Sequence, residues 1–312
     1  MRKILLSGVG GNLGKEAAKF LLTLEDKSNL IFCATNHEVL KPYADMGIDT
    51  RIVDYLQPDK LDEAFKGAEV AGIISMPFIG KKRQEAHKNA LDAVKKAGVK
   101  KVVYTSLCNA GDDTNPSIER ADHQFTENYA KKIDMNYIFL RNSQYAETMI
   151  TNYFHFVSIN SPLCNSMGYG HMAYISRKDC AKALAYALHR HSEYDYTTLD
   201  INGKELLTIE EFVAIGDKET GNTTGYKEID DEENCQLFES MGIPRTMDNV
   251  KKGSGVRYSS EGMITFNQAI RKEKFNTYTD DFKKLTGDDP ISVNYMFAHS
   301  NEFQAGVRHF KD

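Results

Sequence analysis

Gly8, Gly11 and Gly14 punctuate the segment Lys-Ile-Leu-Leu-Ser-Gly-Val-Gly-Gly-Asn-Leu-Gly over residues 3–14, directly after an apolar run. A buried strand that feeds a glycine turn and then a helix, here Lys15–Leu24, brings backbone N–H groups and the positive end of a helix dipole to one point. That combination cradles a pyrophosphate. Gly8 permits the turn, Gly11 lets a phosphate approach the main chain, and Gly14 lets helix pack closely on strand, with Gly10, Asn12 and Leu13 completing the cradle. The spacing is G-x-x-G-x-x-G with Gly10 as an extra, because the third glycine of the commoner G-x-G-x-x-G falls on Leu13.

The end of the second apolar run reads Cys33-Ala34-Thr35-Asn36-His37 and has no carboxylate to accept from a ribose 2′-hydroxyl. Thr35, Asn36 and His37, with Lys41 nearby, can instead donate to a 2′-phosphate, so NADP(H) is expected ahead of NAD(H). Asp54-Tyr55 closes the third run, where it either meets the adenine or forms a surface turn. Ser75, Met76 and Pro77 after the fourth run, Ser106 at the end of the fifth and Asn142 after the sixth are the remaining cofactor candidates.

A Tyr and a Lys four residues apart on one helix would give a tyrosine acid of lowered pKa. Here the match Tyr174-x-x-x-Lys178 straddles a helix opening at Arg177, so the two do not share a helical face. The helix Ala121–Lys132 offers His123 and, one turn on, Glu127: either a proton donor oriented by a carboxylate, or a His–Glu pair on a solvated face. Tyr145 and Asn142 stand beside a bound substrate or fill interdomain packing, and His123 and Tyr145 are the catalytic candidates. Tyr153-Phe154-His155-Phe156, with Tyr169 and Tyr174, walls a flat substrate or belongs to a core. No G-x-S-x-G surrounds Ser106, which disfavours serine hydrolysis.

These residues are positioned by an alternation of strands at Leu30–Ala34, Thr50–Val53, Val70–Ser75, Lys101–Ser106 and Asn136–Leu140 with helices at Glu38–Met46, Lys60–Phe65, Arg83–Ala97 and Ala121–Lys132. The pattern predicts an α/β fold, a Rossmann-type doubly wound parallel sheet, with ligands at the carboxyl ends of the strands. Residues 1–150 form the cofactor domain, 171–202 return to it, and 151–170 with 203–312 form a smaller, mainly helical, substrate-covering lobe. Beyond residue 150, Tyr153–Gly170 reads as irregular, Arg177–His189 as a helix, Thr198–Ile201 as a strand returning to the sheet, and Glu210–Thr220, Glu232–Met241 and Ser259–Lys272 as helices of the lobe, while Phe282–Asp312 has no clear period.

A net charge of −5 with dispersed lysine pairs gives no nucleic-acid footprint, and five widely spaced cysteines without C-x-x-C indicate neither a disulfide frame nor a metal site. No stretch has spanning length, so a cytoplasmic protein without membrane contact is expected.

Gly8-Val-Gly-Gly-Asn-Leu-Gly14, Asp54-Tyr55, Tyr104-Thr-Ser-Leu107, His123-x-x-x-Glu127, Leu140-Arg-Asn-x-x-Tyr145, Ser176-Arg-x-Asp179 and Leu285-Thr-Gly-Asp-Asp-Pro290 together resemble the NmrA-like branch of the atypical short-chain dehydrogenases over almost the whole chain. The resemblance implies an NADPH-binding Rossmann domain, a small C-terminal lobe, and reduction of a small quinone, enone, dye or other conjugated, aromatic acceptor without a Tyr–Lys pair. It also implies an alternative, since some members are non-catalytic redox sensors; a homodimer is allowed but not required. Two departures stand out: Thr35 replaces the arginine common in NADPH-binding members, and Gly8-Val-Gly-Gly11 replaces the usual Gly-Ala-Thr-Gly.

Overall fold

The structure is a computed structural model that describes residues 3–61, 63–246 and 258–305. Its first half alternates β1 (Ile4–Ser7), α1 (Asn12–Leu24), β2 (Leu30–Ala34), α2 (His37–Asp45), β3 (Asp49–Ile52), β4 (Val70–Ile73), α3 (Lys81–Lys96), β5 (Lys101–Leu107), α4 (Ile118–Lys132) and β6 (Asn136–Asn142). There follow α5 (Ala146–Ser158), β7 (Leu163–Asn165), α6 (Arg177–His189), β8 (Thr197–Ile201), α7 (Ile209–Thr220), β9 (Tyr226–Glu228), α8 (Asp231–Ser240), α9 (Ser260–Arg271), α10 (Asp281–Thr286) and α11 (Val293–Ala298).

Seven strands form one parallel sheet in the order β3-β2-β1-β4-β5-β6-β8. The inner strands β1, β2, β4 and β5 are buried along their whole length, as a sheet covered on both faces demands, and so read as unbroken apolar runs. Edge strand β3 instead carries Asp49 and Arg51, paired at 2.7 Å. One face packs Leu13, Ala17 and Leu21 of α1 and Ala181, Leu184 and Leu188 of α6 on the sheet, and the other packs Ala86, Ala90 and Val94 of α3. Strand order reverses between β1 and β4, which opens a crevice there.

A third apolar cluster lies outside the sheet and joins α5, α7, α9 and α11 around Tyr153, Tyr174, Phe212, Ile270 and Phe297. Three expected segments differ. Lys60–Phe65 is no helix: a single 3₁₀ turn at Pro58–Lys60 and further turns lead to Gly67 at φ +77°, while Leu61, Ala64 and Phe65 still reach the core. Tyr153–Gly170 is not irregular throughout, because α5 runs to Ser158 and β7 follows; burial of Tyr153 and Phe156 against the third cluster overrides the weak helix propensity of aromatic residues. The C-terminal extension holds α10, whose Phe282 and Leu285 enter the sheet-side core, and α11, whose Phe297 packs edge-on against Tyr153 at 5.0 Å. Its residues 306–312 lie outside the described ones.

Of the five thiols, Cys33, Cys108, Cys180 and Cys235 are buried and Cys164 is half-buried, all unpaired. No described helix is long and apolar enough to cross a membrane.

Candidate functional site

The β1–α1 turn follows from its glycines. Gly8 sits at φ +89°, a left-handed conformation, and the N–H groups of Gly8 and Val9 both donate to the Cys33 carbonyl, at 2.9 and 3.1 Å. A Cβ on Gly14 would lie 2.1 Å from the Gly8 carbonyl oxygen, so no side chain fits there. At Gly11 a Cβ would meet only that same oxygen, at 3.6 Å. Gly11 contributes no side-chain cap to α1, which leaves the first N–H groups of the helix, from Asn12 onward, without intrahelical acceptors at the crevice.

At the end of β2, Thr35, Asn36 and His37 are exposed, and the Asn36 side-chain oxygen accepts from the Val39 N–H at 3.0 Å, capping α2. Lys41 turns away to Asp45 at 2.9 Å. Asp54 accepts from the Leu56 N–H and the Gln57 side chain, both at 2.9 Å, so it holds a turn. The Tyr55 ring is in the core with Cys33 and Leu61, not on the surface.

Beyond β4 the wall is made of buried side chains. Thr105 Oγ1 accepts from the Ser75 N–H at 2.9 Å, His87 Nε2 from the Met76 N–H at 2.9 Å, and Asp122 Oδ2 from the Gly80 N–H at 2.6 Å, so the segment containing Pro77 is fastened at both ends. Thr126 Oγ1 donates to the Asp122 carbonyl, which makes His87 Nδ1 the donor to Thr126 at 2.9 Å and fixes the neutral tautomer. Burial, with the nearby Arg83 charge, pushes the His87 imidazole down to about 3.

His123 lies in the same network and is 6% exposed. Its Nδ1 meets the Tyr104 hydroxyl at 2.8 Å and its Nε2 faces Arg83 Nη1 at 3.4 Å. Burial first, then the charges of Arg83 and His87, hold its pKa well below the ordinary histidine value. The anticipated proton donor is therefore a neutral ring. Glu127 does not orient it: this buried carboxylate accepts from Ser106 Oγ at 2.7 Å and grips Arg141 through Nε at 3.0 Å and Nη2 at 2.7 Å. A bidentate pair of a buried carboxylate with a half-buried guanidinium, with Ser106 as third member, thus replaces the expected His–Glu pair.

At the end of β6, Asn142 is buried beside the Tyr145 hydroxyl, yet neither its amide nitrogen nor its oxygen has a hydrogen bond of regular geometry, and Ser143 Oγ is likewise unpartnered. Tyr145 is half-buried, its ring 5.2 Å from the Arg177 guanidinium, and burial raises its hydroxyl so that it stays protonated. Tyr174 is in the third cluster while Lys178 is exposed on α6, which Ser176 caps. Tyr153 is fully buried, its hydroxyl on Asp217 at 2.8 Å, so it walls no substrate; Tyr169 is exposed.

The sequence pattern does not single out Arg83, His87, Asp122 or Glu147, and it gives Arg141 and Arg177 only as motif members without a partner. The available signal was polar residues on the inward face of a helix: Arg83 and His87, four apart, share the face of α3 that buries Ala86, Ala90 and Val94.

The chain matches the model of the NmrA-like family over residues 1–252. It is 26% identical to quinone oxidoreductase 2 of Escherichia coli strain K12 over 269 residues, covering 86% of this chain and 92% of that protein. The crystal structure of the NADPH-dependent quinone oxidoreductase from Escherichia coli complexed with NADPH superposes with a TM-score of 0.85 at 23% identity, covering 96% of this chain and 99% of that one. That of Citrobacter sp. triphenylmethane reductase complexed with NADP(H) gives 0.82 at 23% identity with the same coverage.

Proposed function

The chain belongs to the NmrA-like family, and from that premise we propose that it is an NADP(H)-dependent reductase of a small quinone, enone, dye or other conjugated carbonyl acceptor. The observation that carries the reading is the uncapped N-terminus of α1, presented over Gly11 at the crevice where strand order reverses. Two of the similar proteins are a quinone oxidoreductase and a triphenylmethane reductase, each solved with NADPH or NADP(H).

The residues present suit the cofactor. Gly8, Gly10, Gly11, Asn12, Leu13 and Gly14 would take the pyrophosphate, and Thr35, Asn36 through its amide, and His37 the 2′-phosphate, with no carboxylate there to repel it. The unpartnered Asn142 amide would serve a carboxamide, and Ser75, Met76 and Pro77 would cover it. Asp54 and Tyr55 support the adenine end by shaping its turn, and Ser106 supports the other end through Glu127. The bound cofactor supplies hydride; the protein supplies orientation, a dry wall, and the Tyr145 hydroxyl as the proton-holding group beside the acceptor. We assign residues 1–150 with 171–202 to the cofactor domain and 151–170 with 203–312 to the lobe; the third cluster follows this division in part, since it also takes in Tyr174, while Phe282 and Leu285 pack in the sheet-side core.

Multiple-turnover oxidation of NADPH against a panel of quinones, enones and triphenylmethane dyes tests the reading, with NADH as the comparison. Consumption with at least one acceptor, faster with NADPH, is expected; tight NADPH binding with no acceptor reduced would replace it by a second reading, a non-catalytic NADP(H) sensor. One observation favours that alternative: His123 and Tyr145, the two catalytic candidates, are both held away from titration near neutral pH.

A further inference from the structure

A cavity of about 330 Å³ opens where the N-terminal ends of α1, α5 and α6 meet the C-terminal residues, lined by Asn12, Lys15, Glu147, Arg177, Lys178 and Phe303 among others. Only Asn12 belongs to the cofactor cradle.

Arg177 is 9% exposed and its Nε has no hydrogen-bond partner. Its guanidinium lies 5.2 Å from the Tyr145 ring, and its charge acts on the Glu147 carboxyl. A buried guanidinium presents a planar fork of donors, and leaving that fork unsatisfied is unfavourable. Glu147, 5% exposed, reaches the same cavity: its Oε1 accepts from the Arg177 backbone N–H at 2.8 Å, while Oε2 has no partner.

The surrounding charges narrow the ligand. Lys15 and Lys178 stand exposed on the lining, Glu16 is engaged by Lys19 at 2.6 Å, and Glu302 is exposed on the C-terminal side. Asp179 is occupied by Ser176 and the Ile291 N–H. Burial raises the Glu147 carboxyl against the pull of Arg177. A group with two coplanar acceptor oxygens suits the guanidinium fork, which can take its edge through two parallel N–H donors. Phe303, anchored in the third cluster, contributes an apolar edge to the lining, and the volume is at the small end of ligand pockets.

We propose that this cavity binds a small planar carboxylate, an aromatic acid of one or two rings, held by the Arg177 fork at a site distinct from the dinucleotide cradle.

Calorimetric titration of the full-length protein with benzoate, alone and saturated with NADP⁺, tests it. Benzoate should bind in both states, and Arg177→Gln should weaken it about tenfold or more while NADP⁺ affinity stays within about twofold. Arg177→Lys, which keeps charge but loses the fork, should fall between, and it decides the matter if the Gln variant does not fold. Absence of benzoate binding to the unaltered protein, equal binding by both variants, or competition between benzoate and NADP⁺ would overturn the proposal, the last by making the cavity part of the cradle.

Discussion

Around β1 and β2 the crevice is main chain: glycine geometry, helix N–H groups and exposed polar side chains of the β2–α2 turn. Beyond β4 and β5 it is a dry lattice of side chains in which His87, Thr126, Asp122, Tyr104 and His123 fasten a loop, and Glu127 clamps Arg141 and Ser106. The first end is specified by absence of side chains and tolerates change wherever the space is open. The second is specified by mutual satisfaction, so each member protects its neighbours from burial without a partner.

Gly14→Val separates packing from binding most sharply at the first end. With the Gly8 carbonyl 2.1 Å from the new Cβ, the turn must move, and a loss of about 4 kcal/mol in urea unfolding is expected; an unchanged midpoint would remove the close-packing role. At the second end, Glu127→Gln strips the buried charge that the half-buried Arg141 grips and should cost about 2 kcal/mol, since the guanidinium left behind keeps some access to water. If Arg141→Met rescued none of that loss when combined with it, the pair would not be its source.

Gly11→Asp is the counterpart of the Gly14 change within the same motif. Its Cβ has room at φ −82°, so stability should shift by under about 1 kcal/mol, whereas NADPH affinity measured by calorimetry should fall about a hundredfold through repulsion at the pyrophosphate. Wild-type affinity would remove the cradle assignment.

The most gradual effect belongs to pH. His87 has a folded pKa of about 3 against an ordinary 6.5, so between those values the unfolded chain binds a proton that the folded chain refuses. Stability is full above about pH 6.5 and drains away as pH falls toward 3, at up to about 1.4 kcal/mol per pH unit for this one group. His87→Gln removes that slope: the variant is less stable at pH 7, and the gap should narrow in urea titrations carried down to pH 4.5. Parallel profiles would show that His87 is not the buried neutral base described.

The same contrast explains what was readable beforehand. Gly8, Gly11 and Gly14 announce the first end because a backbone device needs particular residues at particular spacings within one short segment, and the unbroken apolar runs of the inner strands announce a sheet covered on both faces. The second end joins α3, β5, α4 and β6, so Glu127 finds Ser106 and Arg141 only after folding, and helical spacing alone pairs it with His123. Arg177 and Glu147 are distant in sequence and meet only where α6 starts beside α5. Aromatic residues stayed ambiguous for a related reason: the sequence allows Tyr153 as a substrate wall or as core, and only its burial decides for core.

Burial of the thiols bears on the protein's chemical lifetime. Quinones and enones are electrophiles that alkylate thiolates, so a protein proposed to handle them is exposed to arylation by its own substrates. Burial pushes the Cys108 thiol up to about 12 and those of Cys33 and Cys180 higher still, which withdraws both access and nucleophile. Cys164, half-buried and also raised, is the most accessible of the five. Any adduct should therefore form there first, on the short strand β7 outside the main sheet, leaving the crevice chemically untouched.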